Sequence, residues 1–309
     1  MCYNIYMKPR RTLMDNAKSF VNTTIKFLNV VAKVLPDDVV AKLKELADKE
    51  TEQMPKAIYR SMFENMEKAV TLDRPLCQDT GVVQFFLRVG TRFPLIDELE
   101  GLIREVVEKG SAIIPLRPNA VETFHEKNTG TNVGKNVPYI DYELVPHSDK
   151  LEMDIYLAGG GCSLPGRATV FMPSAGYEAV ADFVADTMVN YGINACPPLV
   201  VGIGIGPCMA TSAKLAKKAS LRTVGSKNSD PLVANMEVEL ENALNNIGIG
   251  PQGLSGNTSV LCVNVENMAR HPSSMGVAVA FGCWAHRRGT IVFNSDMSYE
   301  ILTHKGVSI

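Results

Sequence analysis

The stretch Arg74-Pro75-Leu76-Cys77-Gln78-Asp79-Thr80-Gly81, continuing into Val82-Val83-Gln84-Phe85-Phe86-Leu87-Arg88-Val89, marks the point where the chain changes character. Helical backbone is disfavoured just before a proline, and Asp-Thr-Gly carries turn chemistry. The run from Val82 to Val89 is short and rich in β-branched and aromatic residues, so it reads as a strand. A thiol, an amide and a carboxyl therefore sit in the turn that opens the first strand.

Upstream of this turn the chain reads as helix. Val21, Ile25, Leu28, Val31 and Leu35 recur at helical spacing. Pro36-Asp37-Asp38 restarts the chain with an Asp cap ahead of Val39, Val40, Leu43 and Leu46. A third helix is expected from about Pro55 to Val70, with Ile58, Met62, Met66 and Val70 as its core stripe. Downstream, helices are expected over 96–109, 175–190, 211–220 and 232–246. Strands are expected over 199–205, 260–265, 277–281 and 290–293. Tyr139–Val145 and Leu151–Leu157 flank His147-Ser148-Asp149-Lys150 and read as a hairpin. Strands and helices alternate without a repeating βα unit, which points to an α+β fold: an N-terminal helical lobe (1–72) packed on a mixed-sheet body (73–309), together one domain spanning 1–309.

Composition narrows the function. The 309 residues carry 31 Lys+Arg against 33 Asp+Glu, a net charge of -2. Without a clustered positive surplus a nucleic-acid partner is not expected. No apolar run approaches the roughly 18–20 residues that span a bilayer, and the basic start lacks an apolar segment behind it, so a cytoplasmic protein is expected. Seven cysteines spread from Cys2 to Cys283 are not the dense, even framework of a small secreted domain.

The cysteines divide by context. Cys2 is expected in a frayed terminus, and Cys208 and Cys262 in settings typical of buried structural thiols. Cys77, Cys196 (NACPP) and Cys283 (GCWAHRRG) each sit at a turn beside Pro or Gly with polar neighbours. Structural zinc sites usually show local Cys pairs, and none occurs here; Cys283 and His286 have the right spacing but no equally local partner pair. An iron–sulfur cluster accepts ligands from distant loops. Three thiolates would leave one iron of a [4Fe–4S] cluster without a protein ligand, a Lewis acid able to hold a hydroxyl and a carboxylate.

Dehydrating a 2-hydroxy acid also needs an acid for the departing hydroxyl and a base for the carbon-bound proton. Asp79 is placed to be the acid, Gln78 can donate to a carboxylate, and Arg117 in PLRPNAV suits the far carboxylate. The segment AGGGCSLPGRA (158–168) offers three glycines for positive φ and close approach to a small anion, with Arg167 beyond as a carboxylate partner. A flexible turn ending a hairpin is the other reading of that segment. GIGIG (202–206) lacks the third glycine of a dinucleotide fingerprint and reads as a tight strand-to-helix turn. His286, Arg287 and Arg288 either tune a cluster, bind substrate or form a solvated turn. His271 reads as structural.

Seven ordered segments then carry a resemblance: RPLCQDTG, PLRPNAV, EKNTGTN, AGGGCSLPGR, NACPP, GPQGLSGNTS and RHPSSMGVAVAFGCWAHRRG. From about Pro36 to His304 the chain resembles the α subunit or N-terminal domain of class I iron–sulfur hydro-lyases, the family of class I fumarases and tartrate dehydratases. Cys162-Ser163-Leu164-Pro165-Gly166-Arg167 and GCWAHRRG are similar to the tartrate branch rather than the fumarase one. The resemblance implies the fold of the class I fumarase N-terminal domain, a [4Fe–4S] cluster on Cys77, Cys196 and Cys283, and Asp79 as catalytic acid. It further implies that Gln78, Arg117 and a glycine of the triple run, Gly160, contact a dicarboxylate. The remaining groups, including a threonine base, belong in the family to a second domain. A separate β subunit, in an α2β2 heterotetramer, is therefore expected to close the site, and the isolated chain to be inactive or nearly so. The reactions this implies are dehydration of L(+)-tartrate to oxaloacetate, or hydration of fumarate to malate. A non-catalytic iron–sulfur redox sensor on the same fold is the non-enzyme reading.

Overall fold

The computed structural model describes residues 7–309, with side chains from residue 13; Cys2 lies outside them. Three helices lead: α1 (Met7–Lys33), α2 (Asp37–Lys49) and α3 (Gln53–Thr71). Then come β1 (Val82–Gly90), α4 (Leu99–Ile113), the short β2 (Val121–Glu122) and β3 (Lys127–Asn128), β4 (Tyr139–Val145) and β5 (Leu151–Ala158). A single turn, α5 (Gly160–Ser163), precedes β6 (Arg167–Phe171), α6 (Gly176–Tyr191), β7 (Leu199–Gly206), α7 (Met209–Leu221) and α8 (Pro231–Asn246). The strands β8 (Val260–Asn267), β9 (Met275–Gly282), β10 (Arg288–Phe293) and β11 (Tyr299–Ile301) complete the chain. The fold is mixed α+β with N-terminal helices and mixed sheets. Among the described residues no helix is long and apolar enough to cross a membrane.

Two compact units emerge. The first holds the described residues through Asp37, Met66–Ala158 and Arg287–Ile309; the second holds Asp38–Asn65 and Gly159–His286. The sequence reading groups residues 1–72 as one helical lobe, whereas the contacts assign α1 to the first unit and α2 with most of α3 to the second.

The first unit is built on a five-stranded sheet in the order β11-β10-β5-β1-β4, with β1 and β4 parallel and the other neighbours antiparallel. The α1 stripe lies in its core. Val21, Leu28 and Val31 are buried with Phe85, Leu87 and Val89 of β1, Ile103 and Val107 of α4, and Met153 and Ile155 of β5. The hairpin expected from β4 and β5 does not form. Both strands are where the sequence places them, but β1 sits between, parallel to β4 and antiparallel to β5. Apolar on both faces (Val83, Phe85, Phe86, Leu87 and Val89 are all buried), β1 takes a central position, and the more polar β4 takes the edge.

The second unit carries a four-stranded sheet, β6-β9-β7-β8, with β7 and β8 parallel. Here GIGIG is strand rather than turn. Its isoleucines, Ile203 and Ile205, join the core formed with Val184, Met188, Val263, Val277 and Phe281. Its glycines alternate onto the opposite face, the period-two pattern of a strand, and α7 lies against them. A β-carbon at Gly202 would stand 2.2 Å from the Ala216 carbonyl oxygen, and one at Gly204 would stand 2.0 Å from that of Ser212. Gly204→Ala is therefore expected to force α7 off the sheet and cost about 3 kcal/mol or more, read as a fall in the denaturation midpoint relative to wild type.

Two further expectations are corrected. In α3, Met62 is buried with Tyr59 and Ala69, while Val70 is 57% exposed; the stripe runs through Tyr59 and ends on Ala69. Cys262 is buried as expected, but Cys208 is exposed. It occupies the N-cap of α7, where its thiol meets the Thr211 hydroxyl at 3.4 Å, and that contact pulls the thiol below its ordinary titration range.

Candidate active site

In the first unit the Cys77–Gly81 turn is locked from several sides. Gly81 has φ +78°, and a β-carbon there would meet the Ala158 backbone at 2.8 Å, so only glycine fits. Its N–H donates to Asp79 Oδ1 at 2.9 Å. Asn119 donates from Nδ2 to the Thr80 hydroxyl (3.2 Å), the Gly81 carbonyl (3.1 Å) and, more weakly, Asp79 Oδ1 (3.4 Å). The Arg117 N–H donates to Thr80 Oγ1 at 3.0 Å. Asn132, buried and at φ +60°, completes the brace: its Oδ1 accepts from the Asn119 N–H at 2.6 Å and its Nδ2 donates to the Arg117 carbonyl.

The sequence-predicted Cys77, Gln78, Asp79 and Arg117 are thus gathered in one unit. Cys77 and Asp79 are half-buried, and Gln78 and Arg117 are exposed. Arg117 owes its fixed backbone to Thr80 and Asn132. Sequence reasoning did not single out Asn119 or Asn132, although both lie within the motifs PLRPNAV and EKNTGTN.

Gly160, Cys196 and Cys283 lie in the second unit. Cys196 follows a 3-10 turn (Gly192–Ala195) and adopts φ +56°, ψ +74°, a left-handed conformation costly for a residue with a β-carbon. Its carbonyl accepts the Trp284 N–H at 3.2 Å, which ties the Cys283 loop to it. The Pro197 carbonyl accepts the Gln252 N–H at 2.9 Å, bringing in GPQGLSGNTS. The triple glycine packs on the same turn, since a β-carbon at Gly161 would lie 2.7 Å from the Asn194 carbonyl oxygen. The expected positive φ is not used: Gly159 has φ −67° and Gly160 opens α5, and close approach is what requires glycine at 161. Arg167 is half-buried, with Nη1 donating to the Leu164 and Gly166 carbonyls and the guanidinium 4.0 Å above the Tyr191 ring. Beneath the loop, burial pushes the Lys217 amine down, while Cys162 draws it back up.

The solvated-turn reading of His286, Arg287 and Arg288 is excluded, because their exposures are 1%, 2% and 4%. His286 Nε2 bonds the Ser220 carbonyl at 2.9 Å, and Arg287 Nη2 donates to the Asp79 carbonyl at 2.8 Å. His271 is exposed, its Nδ1 accepting the Ser273 N–H at 3.1 Å.

The donor chemistry is that of an iron–sulfur centre: the Cys77 thiol in the first unit and the Cys196 and Cys283 thiols in the second are each soft, turn-borne ligand types. A buried guanidinium beside the Cys77 turn leaves Nε and Nη1 without hydrogen-bond partners among the described residues, as a site for an anionic group would. Also among the described residues, no three Cys, His, Asp or Glu side chains group closely enough to hold a single metal ion.

The braced Asp79 carboxyl beside the Cys77 turn gives the geometry, and similarity to known proteins gives the class. The chain belongs to the fumarate hydratase (fumerase) family, which it matches over residues 21–292, and it is a hydro-lyase enzyme. It is 51% identical over 278 residues to the L(+)-tartrate dehydratase subunit alpha of Escherichia coli (strain K12), covering 90% of this chain and 92% of that one. The same identity and coverage hold for the subunit of that name from Shigella boydii serotype 4 (strain Sb227). A putative L(+)-tartrate dehydratase subunit alpha of Methanocaldococcus jannaschii is 37% identical over 270 residues, covering 86% and 95% of the two chains.

Proposed function

We propose that this protein is the cluster-bearing alpha subunit of an L(+)-tartrate dehydratase, producing oxaloacetate and water. The observation that carries the reading is the Asp79 carboxyl, held at Oδ1 by the Gly81 N–H two residues beyond the Cys77 thiol. Similarity to relatives named tartrate dehydratase subunit alpha favours tartrate over malate. Cys77, Cys196 and Cys283 would hold a [4Fe–4S] cluster, which when bound supplies a Lewis-acidic iron free of protein ligands.

The chain's own residues do the rest. Asp79 delivers a proton to the departing hydroxyl oxygen, so that water rather than hydroxide leaves. Gln78 donates its amide N–H to one carboxylate, Arg117 pairs with the far one, and Gly160 presents backbone without a side chain in the way. The carbon-bound proton passes to a base supplied by a second, beta subunit, a partner that the relatives' designation as subunit alpha supports. Loss of that proton and of water leaves an enol, which tautomerises to the keto acid.

The test is coexpression with the beta subunit, anaerobic reconstitution and parallel assays of tartrate and malate. Tartrate turnover at least roughly tenfold faster than malate, with the alpha chain alone inactive, is expected. Faster malate turnover would assign a fumarate hydratase. A substrate-perturbed cluster spectrum with no turnover of either acid would leave the sensor reading.

A further inference from the structure

Arg287 ranks among the largest side chains buried to below 2% relative exposure or close to it, at 2%. Its backbone is pinned immediately before β10, its carbonyl accepting the Leu157 N–H at 3.0 Å. From there the guanidinium reaches the Cys77–Gly81 turn, where Nη2 donates to the Asp79 carbonyl at 2.8 Å. Nε and Nη1 are also out of solvent, yet no acceptor among the described residues meets them. A neutral carbonyl offsets little of what it costs to bury a cation, and a buried charge with donors unanswered is a strongly unfavourable arrangement. The planar fork of arginine is the side chain suited to an anion with more than one acceptor atom.

We infer that Arg287 is an anion-binding residue of the hydro-lyase site, answering negative charge at the Cys77–Asp79 turn. The inference rests on the reading of that turn as part of a cluster-bearing site. Two anions share the required chemistry, the iron–sulfur centre with its thiolates and a carboxylate of the substrate. Either role leaves the Asp79 carbonyl bond in place, so Arg287 also holds the peptide from which the proposed acid projects.

The test uses the reconstituted alpha–beta enzyme with Arg287→Gln, which removes the charge and keeps a donor, and Arg287→Lys, which keeps the charge and loses the fork. Two quantities are read: the rate at which substrate-free enzyme loses iron to a chelator, and KM for tartrate. Iron loss accelerated about tenfold or more in Arg287→Gln, with a smaller change in the same direction for Arg287→Lys, assigns the cluster as the anion. A comparable rise in KM with unchanged iron retention assigns the substrate. Should Arg287→Gln fail to fold, Arg287→Lys carries the same two readouts. If neither readout moves in a folded variant, a neutral group such as a water answers those donors and the inference is overturned. If the wild-type enzyme takes up no iron, the cluster reading falls first and the inference with it.

Discussion

Cys196→Ser is expected to leave the chain folded and to abolish both stable cluster assembly and turnover. The replacement keeps a β-carbon on a backbone held at φ +56°, so it neither relieves nor adds backbone strain. It also keeps the Cys196 carbonyl that receives the Trp284 N–H. What it removes is the soft thiolate for which iron–sulfur centres select. Cys196→Gly sharpens the contrast, because glycine adopts this conformation without penalty. The cluster-free protein should become more stable by roughly 1 kcal/mol while losing iron as completely as the serine variant. Stability gained together with function lost is the signature of strain maintained for a site. Iron and acid-labile sulfide per chain after anaerobic reconstitution, beside a thermal melt of the cluster-free protein, read both effects. A serine variant retaining about four irons and full turnover would falsify the assignment of Cys196 as a ligand.

Most elements were legible in the sequence because they rest on local periodicity. The α1 stripe and the β7, β8 and β9 runs fall where their spacing puts them. Strand pairing is different, because it is decided by competition among segments far apart in the chain. The strand-like runs of β4 and β5 around a polar turn look like a hairpin, yet β1, from more than fifty residues upstream of β5, is the better-buried neighbour of both. GIGIG shows the same limit at the scale of five residues. Its glycines meet α7, and nothing in the pentapeptide announces the helix that will lie on it. At the candidate site, Cys77, Asp79 and Arg117 stood out through residue type and turn context. Asn119 and Asn132 did not, because an asparagine in a loop carries no periodic signal and its role is defined only by the partners it reaches. The burial of Arg287 was equally hidden, since a CWAHRRG segment reads as basic and polar whichever way its side chains turn.

Asp79→Asn separates the acid role from the bracing of its turn. Asparagine is nearly isosteric, and its Oδ1 can still accept the Gly81 N–H that meets the carboxylate at 2.9 Å. The Asp79 carbonyl that receives Arg287 is untouched. The substitution removes no thiolate, so iron content and the melting temperature are expected to match wild type. An amide, however, has no proton to give to a departing hydroxyl, and general acid catalysis typically contributes about 10²–10⁴ in rate. Loss of an interaction made only in the transition state lowers kcat and kcat/KM together. The expected result is therefore a fall of roughly that size in both constants, with KM for tartrate near its wild-type value. Each alternative role leaves a different trace. A carboxylate that mainly bound substrate would raise KM and spare kcat, and one that mainly braced the Cys77 turn would cost iron retention when neutralised. Wild-type turnover by an Asp79→Asn enzyme with its full complement of iron would move the acid to another residue, and the second subunit would then be the place to seek it.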